Sequence, residues 1–206
     1  MRTVLYGGAF DPVHAGHVFI GHEALRLLAP ANLILIPTGA PNPDFDKDLS
    51  APDADRVAML ELAFGHRSDI VISDIELRRE PLVSYFVDTL QYLGPFQGTE
   101  KPALVLGEDE LQSFARWHRY QDILAQVELW FVPRAGLTHT GNADIPARQL
   151  VDVNPFDSLS STIIRTRVQQ GLSIEGLVSP GVAAYIAEHG LYQHVSPRAH
   201  GDATHL

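Results

Sequence analysis

Two histidines stand three residues apart in the stretch GGAFDPVHAGH, directly after a short apolar run. Gly7 and Gly8 carry no side chains where the chain leaves that run, so their N–H groups can approach an anion closely. Gly16 leaves space between His14 and His17, and both imidazoles can then donate hydrogen bonds to one ligand. Such donors stabilise phosphate oxygens most strongly where charge builds up during a reaction. The stretch therefore predicts a phosphate site with two catalytic histidines.

Three other interpretations of this stretch are weaker. Surface histidines beside turn glycines would not require a preceding strand, a double glycine and an Asp-Pro step together. A zinc site is disfavoured because His14, His17 and Asp11 lack the rest of a catalytic zinc set. A dehydrogenase is disfavoured because no dinucleotide-binding G-x-G-x-x-G follows the first apolar run.

The elements that would position these residues alternate along the chain. Continuously apolar runs predict strands that helices cover on both faces, and strand–helix alternation predicts a doubly wound α/β fold with a mainly parallel sheet. The predicted strands are 3–8, 32–39, 69–77, 102–107 and 127–134, with 148–154 as a candidate sixth. The predicted helices are 17–30, 53–65, 84–94, 161–171 and 179–190. Sheets of this class bind ligands at the carboxyl ends of their strands, where the histidine stretch begins.

Composition limits the function further. A chain of 206 residues suits a single domain over residues 1–193, with a small helical C-terminal part at about 160–193 and a mobile tail at 194–206. The net charge of −10 argues against a nucleic acid polymer as partner but permits a small anion held by local donors. No apolar run is long enough for a membrane span, and cysteine is absent, so we expect a cytoplasmic protein.

A second candidate anion site lies far along the chain. Ser160, Ser161 and Thr162 open a predicted helix, where hydroxyls and free N–H groups meet the positive end of the helix dipole. Arg165, one turn later, adds a planar charged fork suited to phosphate. Ordinary N-capping beside solvated arginines is the alternative interpretation.

The histidine stretch closely resembles the signature of the nucleotidyltransferase superfamily that carries H-x-G-H, and residues 160–165 resemble its S-S-T-x-x-R block. The resemblance implies a Rossmann-like fold and attack on the α-phosphate of a nucleoside triphosphate with release of pyrophosphate. It also implies that Mg²⁺ arrives with ATP and that no metal is held by the protein itself. The residues that it assigns to ATP are Gly7, Gly8, Phe10, Asp11, Gly16, Gly107, Asp109, Ser160, Ser161, Thr162 and Arg165.

Three further blocks resemble bacterial nicotinate mononucleotide adenylyltransferases: SYFVDTL at 84–90, LGEDELQSFARWHRYQDIL at 106–124, and GLVSPGVAAYIAEHGLY at 176–192. The resemblance implies transfer of the adenylyl group of ATP to nicotinate mononucleotide, a pyridine mononucleotide, without a covalent intermediate. In this family Trp117 would stack on the pyridine ring. The residues that the resemblance assigns to the acceptor are Lys47, Ser84, Tyr85, Asp88, Thr89 and Trp117.

Two positions depart from that family's pattern. Phe86 occupies the place of a threonine, and Lys47 lies in the longer acidic segment PNPDFDK instead of a compact P-P-H-K. Without the family, Trp117 would be interpreted as a core aromatic, and Asp88 and Thr89 as helix surface and capping residues. Two rival functions remain: a sister adenylyltransferase for nicotinamide mononucleotide or phosphopantetheine, and an ATP-binding module without turnover.

Overall fold

The computed structural model describes residues 2–40, 49–65, 67–79, 83–94, 96, 100–134 and 145–193. Lys47 and the tail 194–206 lie outside the described residues, so their assigned roles stay predictions. Within the described chain, no helix is both long and apolar enough to cross a membrane.

Six strands of the described chain form one parallel sheet in the order β3-β2-β1-β4-β5-β6. They are β1 (Thr3–Gly8), β2 (Asn32–Pro37), β3 (Ile70–Ile72), β4 (Ala103–Gly107), β5 (Glu128–Val132) and β6 (Ala147–Gln149). The predicted doubly wound, Rossmann-like sheet is confirmed. The winding reverses between the neighbours β1 and β4, and such a switch point opens a crevice at the carboxyl ends of the strands.

Helices cover both faces of this sheet. They are α1 (Ala15–Leu28), α2 (Asp53–Phe64), α3 (Ile75–Arg78), α4 (Phe86–Leu93), α5 (Glu108–Ser113), α6 (Tyr120–Gln126), α7 (Ser161–Gln169) and α8 (Pro180–Glu188), with a 3₁₀ turn at Phe114–Arg116. Val4 and Tyr6 point into the core beneath α1, α2, α7 and α8, while Leu5 points into the core beneath α4 and α6. This is why the strand is apolar at every position rather than at alternate ones.

Three predicted elements are wrong in detail. The candidate sixth strand at 148–154 is the shorter β6, which ends at Gln149. The predicted strand at 69–77 ends at Ile72, because Asp74 accepts backbone hydrogen bonds from Leu77 and Arg78 and opens the short helix α3. The predicted helix at 84–94 begins at Phe86 rather than at Ser84. Tyr85 is the N-cap of α4, and the hydroxyl of Ser84 instead accepts a hydrogen bond from the Ala40 N–H at 3.2 Å.

Candidate active site

The loop after β1 has a backbone shape that few sequences allow. Phe10 has a φ of +49°, an uncommon conformation for a bulky residue. Its ring lies against Gly8, where an added Cβ would come within 3.2 Å of the ring. Gly8 therefore permits the fully buried Phe10 to fold back under the loop, which leaves the backbone of the loop on the surface of a cavity.

The two histidines meet at the start of α1. His14 is the N-cap, and the rings of His14 and His17 stack with centroids 3.8 Å apart. The His14 N–H donates to Nδ1 of His17 at 3.2 Å, so the proton of a neutral His17 resides on Nε2. An added Cβ on Gly16 would lie 3.1 Å from the ring of His14. The predicted spacing thus brings both imidazoles to one place.

The environment of His14 keeps its ring neutral. The residue is only 7% exposed, and burial, together with the positive charge of Arg134, lowers the pKa of His14 to about 4. A bound phosphate would favour the charged imidazole and raise that pKa again. His14 can therefore take up a proton when an anion binds beside it.

Both histidines line a cavity of about 390 Å³, the histidine cavity, between the loop, the ends of β4 and β5, and the start of α7. Ser160 caps α7 by accepting a hydrogen bond from the Ile163 N–H. The sequence-predicted residues that line this cavity are Gly7, Gly8, Phe10, His14, Gly16, His17, Gly107, Asp109, Ser160, Ser161 and Thr162. Residues from the two ends of the chain, such as His17 and Ser160, therefore line the same cavity.

Asp11 and Arg165, predicted to contact ATP, do not line the histidine cavity. The Asp11 carboxylate is 1% exposed and accepts hydrogen bonds from the Ser50 N–H at 2.6 Å, the Ala51 N–H at 3.1 Å and the Tyr192 hydroxyl at 2.7 Å. Nη1 of Arg165 donates to the Asp11 carbonyl at 2.7 Å. Both residues hold the loop from behind.

Sequence reasoning missed Arg134, which lines the histidine cavity directly after β5. Its Nη1 lies 2.6 Å from Oδ2 of Asp109, and its backbone N–H donates to the buried Glu108 carboxylate at 2.8 Å. Among the described residues of this cavity, Arg134 is the one lysine or arginine. Its place at the carboxyl end of a parallel strand was the signal that could have identified it.

A second cavity of about 330 Å³, the aromatic cavity, adjoins the first. Trp117 lies in its wall with the ring of Phe86 edge-on at 5.8 Å, and Tyr85 contacts His118 with centroids 4.2 Å apart. Of the residues predicted to bind the acceptor, Ser84, Tyr85 and Trp117 line this cavity. The residues common to both cavities are Gly7, Gly8, Asp109 and Glu110.

Asp88 and Thr89 lie behind the wall of the aromatic cavity. Thr89 is fully buried, and its hydroxyl donates to the Glu76 carboxylate at 2.7 Å, while Asp88 faces Arg79 at 3.8 Å. Glu76, which sequence reasoning missed, does line the cavity and also accepts a hydrogen bond from the Gly39 N–H. Burial raises the pKa of Glu76.

Comparisons with known proteins agree with this geometry. The cytidylyltransferase-like family matches residues 5–167. A protein of Dehalococcoides mccartyi named "Probable nicotinate-nucleotide adenylyltransferase" is 36% identical over 201 residues, covering 93% of this chain and 97% of its own. A protein of the same name from Bordetella pertussis is 36% identical over 200 residues, covering 93% and 98%. The chain belongs to the nicotinate-nucleotide adenylyltransferase family.

Solved structures show the same fold as this member of the nicotinate-nucleotide adenylyltransferase family. Plasmodium falciparum nicotinic acid mononucleotide adenylyltransferase complexed with NaAD matches with a TM-score of 0.76 at 17% identity, covering 93% of this chain and 98% of that one. The same protein complexed with APC matches with a TM-score of 0.74 at 16% identity, covering 93% and 96%. The fold is therefore shared between this chain and solved structures that are only 16–17% identical to it.

Proposed function

We propose that this protein transfers the adenylyl group of ATP to nicotinate mononucleotide, forming nicotinate adenine dinucleotide and pyrophosphate. The observation that carries the proposal is the junction of the two cavities at Gly7 and Gly8. One cavity presents donors for phosphate, and the other presents aromatic faces for a flat ring. A reaction that joins a nucleotide to a ring-bearing phosphate needs these two sites side by side.

The triphosphate of ATP occupies the histidine cavity in this proposal. The N-terminus of α7, with Ser161 and Thr162, lines one wall, and the histidine pair and Arg134 line the others. The Ser161 hydroxyl donates to the Pro12 carbonyl at 2.9 Å and so ties α7 to the loop. Because the net charge of the chain is −10, these local groups must outweigh the field of the whole protein. Arg165 supports the site by holding the Asp11 carbonyl, and its contact with the triphosphate stays a prediction.

The pyridine ring of the acceptor occupies the aromatic cavity and stacks on Trp117. The acceptor's carboxylate lies at the N-terminus of α4, near Tyr85 and Phe86, where the first helical N–H groups have no partner within the helix. Lys47 stays a predicted contact to the acceptor's phosphate.

The chemistry requires alignment more than a strong base, since the acceptor already carries a nucleophilic phosphate. One phosphate oxygen of the acceptor attacks the α-phosphorus of ATP, and the bond to the oxygen that bridges to the β-phosphate breaks. Pyrophosphate leaves with that electron pair. The histidines stabilise the charge that builds up on the α-phosphate, at ~3–4 kcal/mol for a well-placed donor.

Mg²⁺ enters as part of the substrate, bound to ATP. In the described parts of the chain, no group of three or more His, Asp or Glu side chains could hold a metal ion. Phosphate oxygens and water supply the ligands that Mg²⁺ prefers. A cytoplasmic location remains a prediction of the cysteine-free composition.

Nicotinamide mononucleotide is a second candidate acceptor because Glu76 lines the aromatic cavity. A buried carboxylate repels the acid of nicotinate but accepts a hydrogen bond from an amide. Phe86 also replaces the threonine expected from the family's pattern, which removes a hydroxyl from this wall.

Pyrophosphate release with MgATP tests the proposal, with the two mononucleotides compared at equal concentration. We expect release with both and a higher kcat/KM for nicotinate mononucleotide. A higher value for the amide would keep the reaction and change the acceptor. If neither mononucleotide nor any other phosphorylated acceptor gives pyrophosphate release, the ATP-binding module without turnover is the remaining function.

A further inference from the structure

Arg56, on the first turn of α2, is the largest side chain that is fully buried in the described part of the chain. Its Nη1 donates to the Ala9 carbonyl at 2.8 Å, and its Nη2 donates to Oδ1 of Asp53 at 2.6 Å. Its Nε is buried without a hydrogen-bond partner among the described residues. A permanent charge is costly to bury unless the fold uses it, so this placement needs a reason.

The carbonyl that Arg56 holds belongs to the residue before Phe10. A phenylalanine at a φ of +49° is strained and persists only where its neighbours force that conformation. Arg56 fixes the chain on one side of Phe10, at Ala9. Asp11 is fixed on the other side, with its carboxylate buried and its carbonyl bound by Arg165. The unusual turn is thus held at both ends.

The position of this turn decides where the histidines lie. The ring of Phe10 packs edge-on against the ring of His17 with centroids 5.0 Å apart, and against Tyr6 at 5.5 Å. His17 in turn stacks on His14. A shift of the Ala9 carbonyl would therefore displace Phe10 and, through it, both histidines.

The charge of Arg56 also lies close behind the wall of the histidine cavity, since Ala9 lines that cavity. Asp53, its carboxylate partner, has a side chain that is 53% exposed, so solvent screens much of its negative charge. The buried guanidinium is screened far less. The guanidinium therefore contributes positive potential behind the loop, and the buried carboxylates of Asp11 and Glu76 oppose part of it.

We propose that Arg56 is a positioning residue for adenylyl transfer. It holds the loop at Ala9 in the turn that orients His14 and His17, and its charge favours triphosphate in the histidine cavity without touching it. The inference rests on the proposed function, because it assigns that cavity to ATP. If the ion pair only stabilised the fold, its loss would lower the stability of the protein and would weaken the binding of both substrates equally.

Three substitutions separate these roles. Arg56→Met removes the positive charge and all hydrogen-bond donors. Arg56→Lys keeps the charge but loses the planar guanidinium that reaches both Ala9 and Asp53. Arg56→Gln keeps hydrogen-bond donors but has no charge. Ile186→Ala is the matched control, since Ile186 is buried in the same core on α8 and lines neither cavity. Each protein is titrated with MgATP by calorimetry, and kcat and both KM values are measured from pyrophosphate release.

We expect Arg56→Met to weaken ATP binding and to lower kcat by at least about tenfold each, as for a lost hydrogen bond to a charged group. The KM for the mononucleotide should change less than about threefold, since Arg56 does not line the aromatic cavity. Affinity for ATP should be highest in the wild type and should fall from Arg56→Lys to Arg56→Gln to Arg56→Met. Hydrogen exchange at 7–17 should accelerate in Arg56→Met but not in Ile186→Ala.

Equal ATP affinity and kcat in Arg56→Met and Ile186→Ala would overturn the inference. If Arg56→Met does not fold, Lys and Gln variants that match the wild type in ATP affinity and kcat would overturn it instead. A wild-type protein that binds no ATP would overturn both this inference and the proposed function. A wild type that binds ATP as tightly as Arg56→Met does would overturn this inference alone.

Discussion

The histidine cavity and the aromatic cavity share Gly7, Gly8, Asp109 and Glu110 but differ in the other side chains that line them. The first is lined by imidazoles, hydroxyl-bearing residues and Arg134, which can stabilise charge on a phosphate, and also by the acidic residues Glu108, Asp109, Glu110 and Asp157. The second is lined by Trp117, Tyr85 and other aromatic side chains, which bind a flat ring by contact, and its acidic residues are Glu76, Asp109 and Glu110. The difference separates the reaction from recognition of the acceptor within one continuous crevice.

The comparison predicts that changes in the first cavity act mainly on kcat, because its donors are strongest in the transition state. Changes in the second cavity should act mainly on the KM of the acceptor, because ring stacking is the same before and during the reaction.

His17→Ala should show the largest effect. Loss of one donor to the α-phosphate should lower kcat by about 100-fold or more. The control is His118→Ala, which removes a histidine from the aromatic cavity and should change the acceptor's KM more than kcat. Turnover from pyrophosphate release and circular dichroism of both variants are the measurements. Unchanged kcat in His17→Ala would remove the histidine pair from the mechanism.

The buried, neutral His14 should make stability depend on pH. Its pKa of about 4 lies below the ordinary 6.5, so the unfolded chain binds more protons than the folded one between these values. Stability should therefore fall as the pH drops from 6.5 to 4, by up to about 3 kcal/mol.

Urea unfolding of the wild type and of His14→Gln across this range isolates the contribution, because other groups titrate in both proteins. Equal slopes in the two proteins would contradict the shifted pKa. Added ATP should raise the pKa of His14 in the folded protein and so make the loss of stability between pH 6.5 and 4 smaller, whereas nicotinate mononucleotide alone should leave that loss unchanged.

Trp117→Ala should weaken binding of the acceptor. The loss of a stacking face should raise the acceptor's KM by about tenfold or more, with kcat and the KM for ATP nearly unchanged. Trp117→Phe keeps an aromatic face and should retain most of the affinity. Steady-state kinetics in both substrates test this, and a fall in kcat alone would show that the aromatic cavity takes part in the reaction.

Tyr192→Phe should have the smallest effect. It removes one of three donors to the buried Asp11 carboxylate and should cost about 1 kcal/mol of stability, with a few-fold loss of kcat. Tyr185→Phe is the matched control, since its hydroxyl donates to Asp55 at 2.8 Å instead. Thermal unfolding and turnover are compared, and an equal loss of kcat in both variants would exclude a role for Asp11 in holding the loop.

Much of the histidine cavity follows from short stretches of sequence. Gly7, Gly8, His14 and His17 lie within eleven residues, so local backbone rules already bring them together after a strand. Ser160–Thr162 could be placed at a helix start because N-cap chemistry is equally local. The residues of the aromatic cavity could be predicted only from the family resemblance. Without it, Trp117 would have been interpreted as a core residue.

The sequence by itself determined the parallel sheet, the strand that ends in two glycines and the presence of an anion site, because hydrophobic period and turn chemistry act over a few residues. Only the tertiary structure decided the tasks of individual polar groups. The Asp11 carboxylate accepts a hydrogen bond from Tyr192, 181 positions later. Arg134 and Glu76 enter the crevice, and Arg56 is buried behind it. The physical reason is that a polar side chain goes to whichever donors and acceptors the fold leaves unpaired, and those partners are set by packing between distant segments.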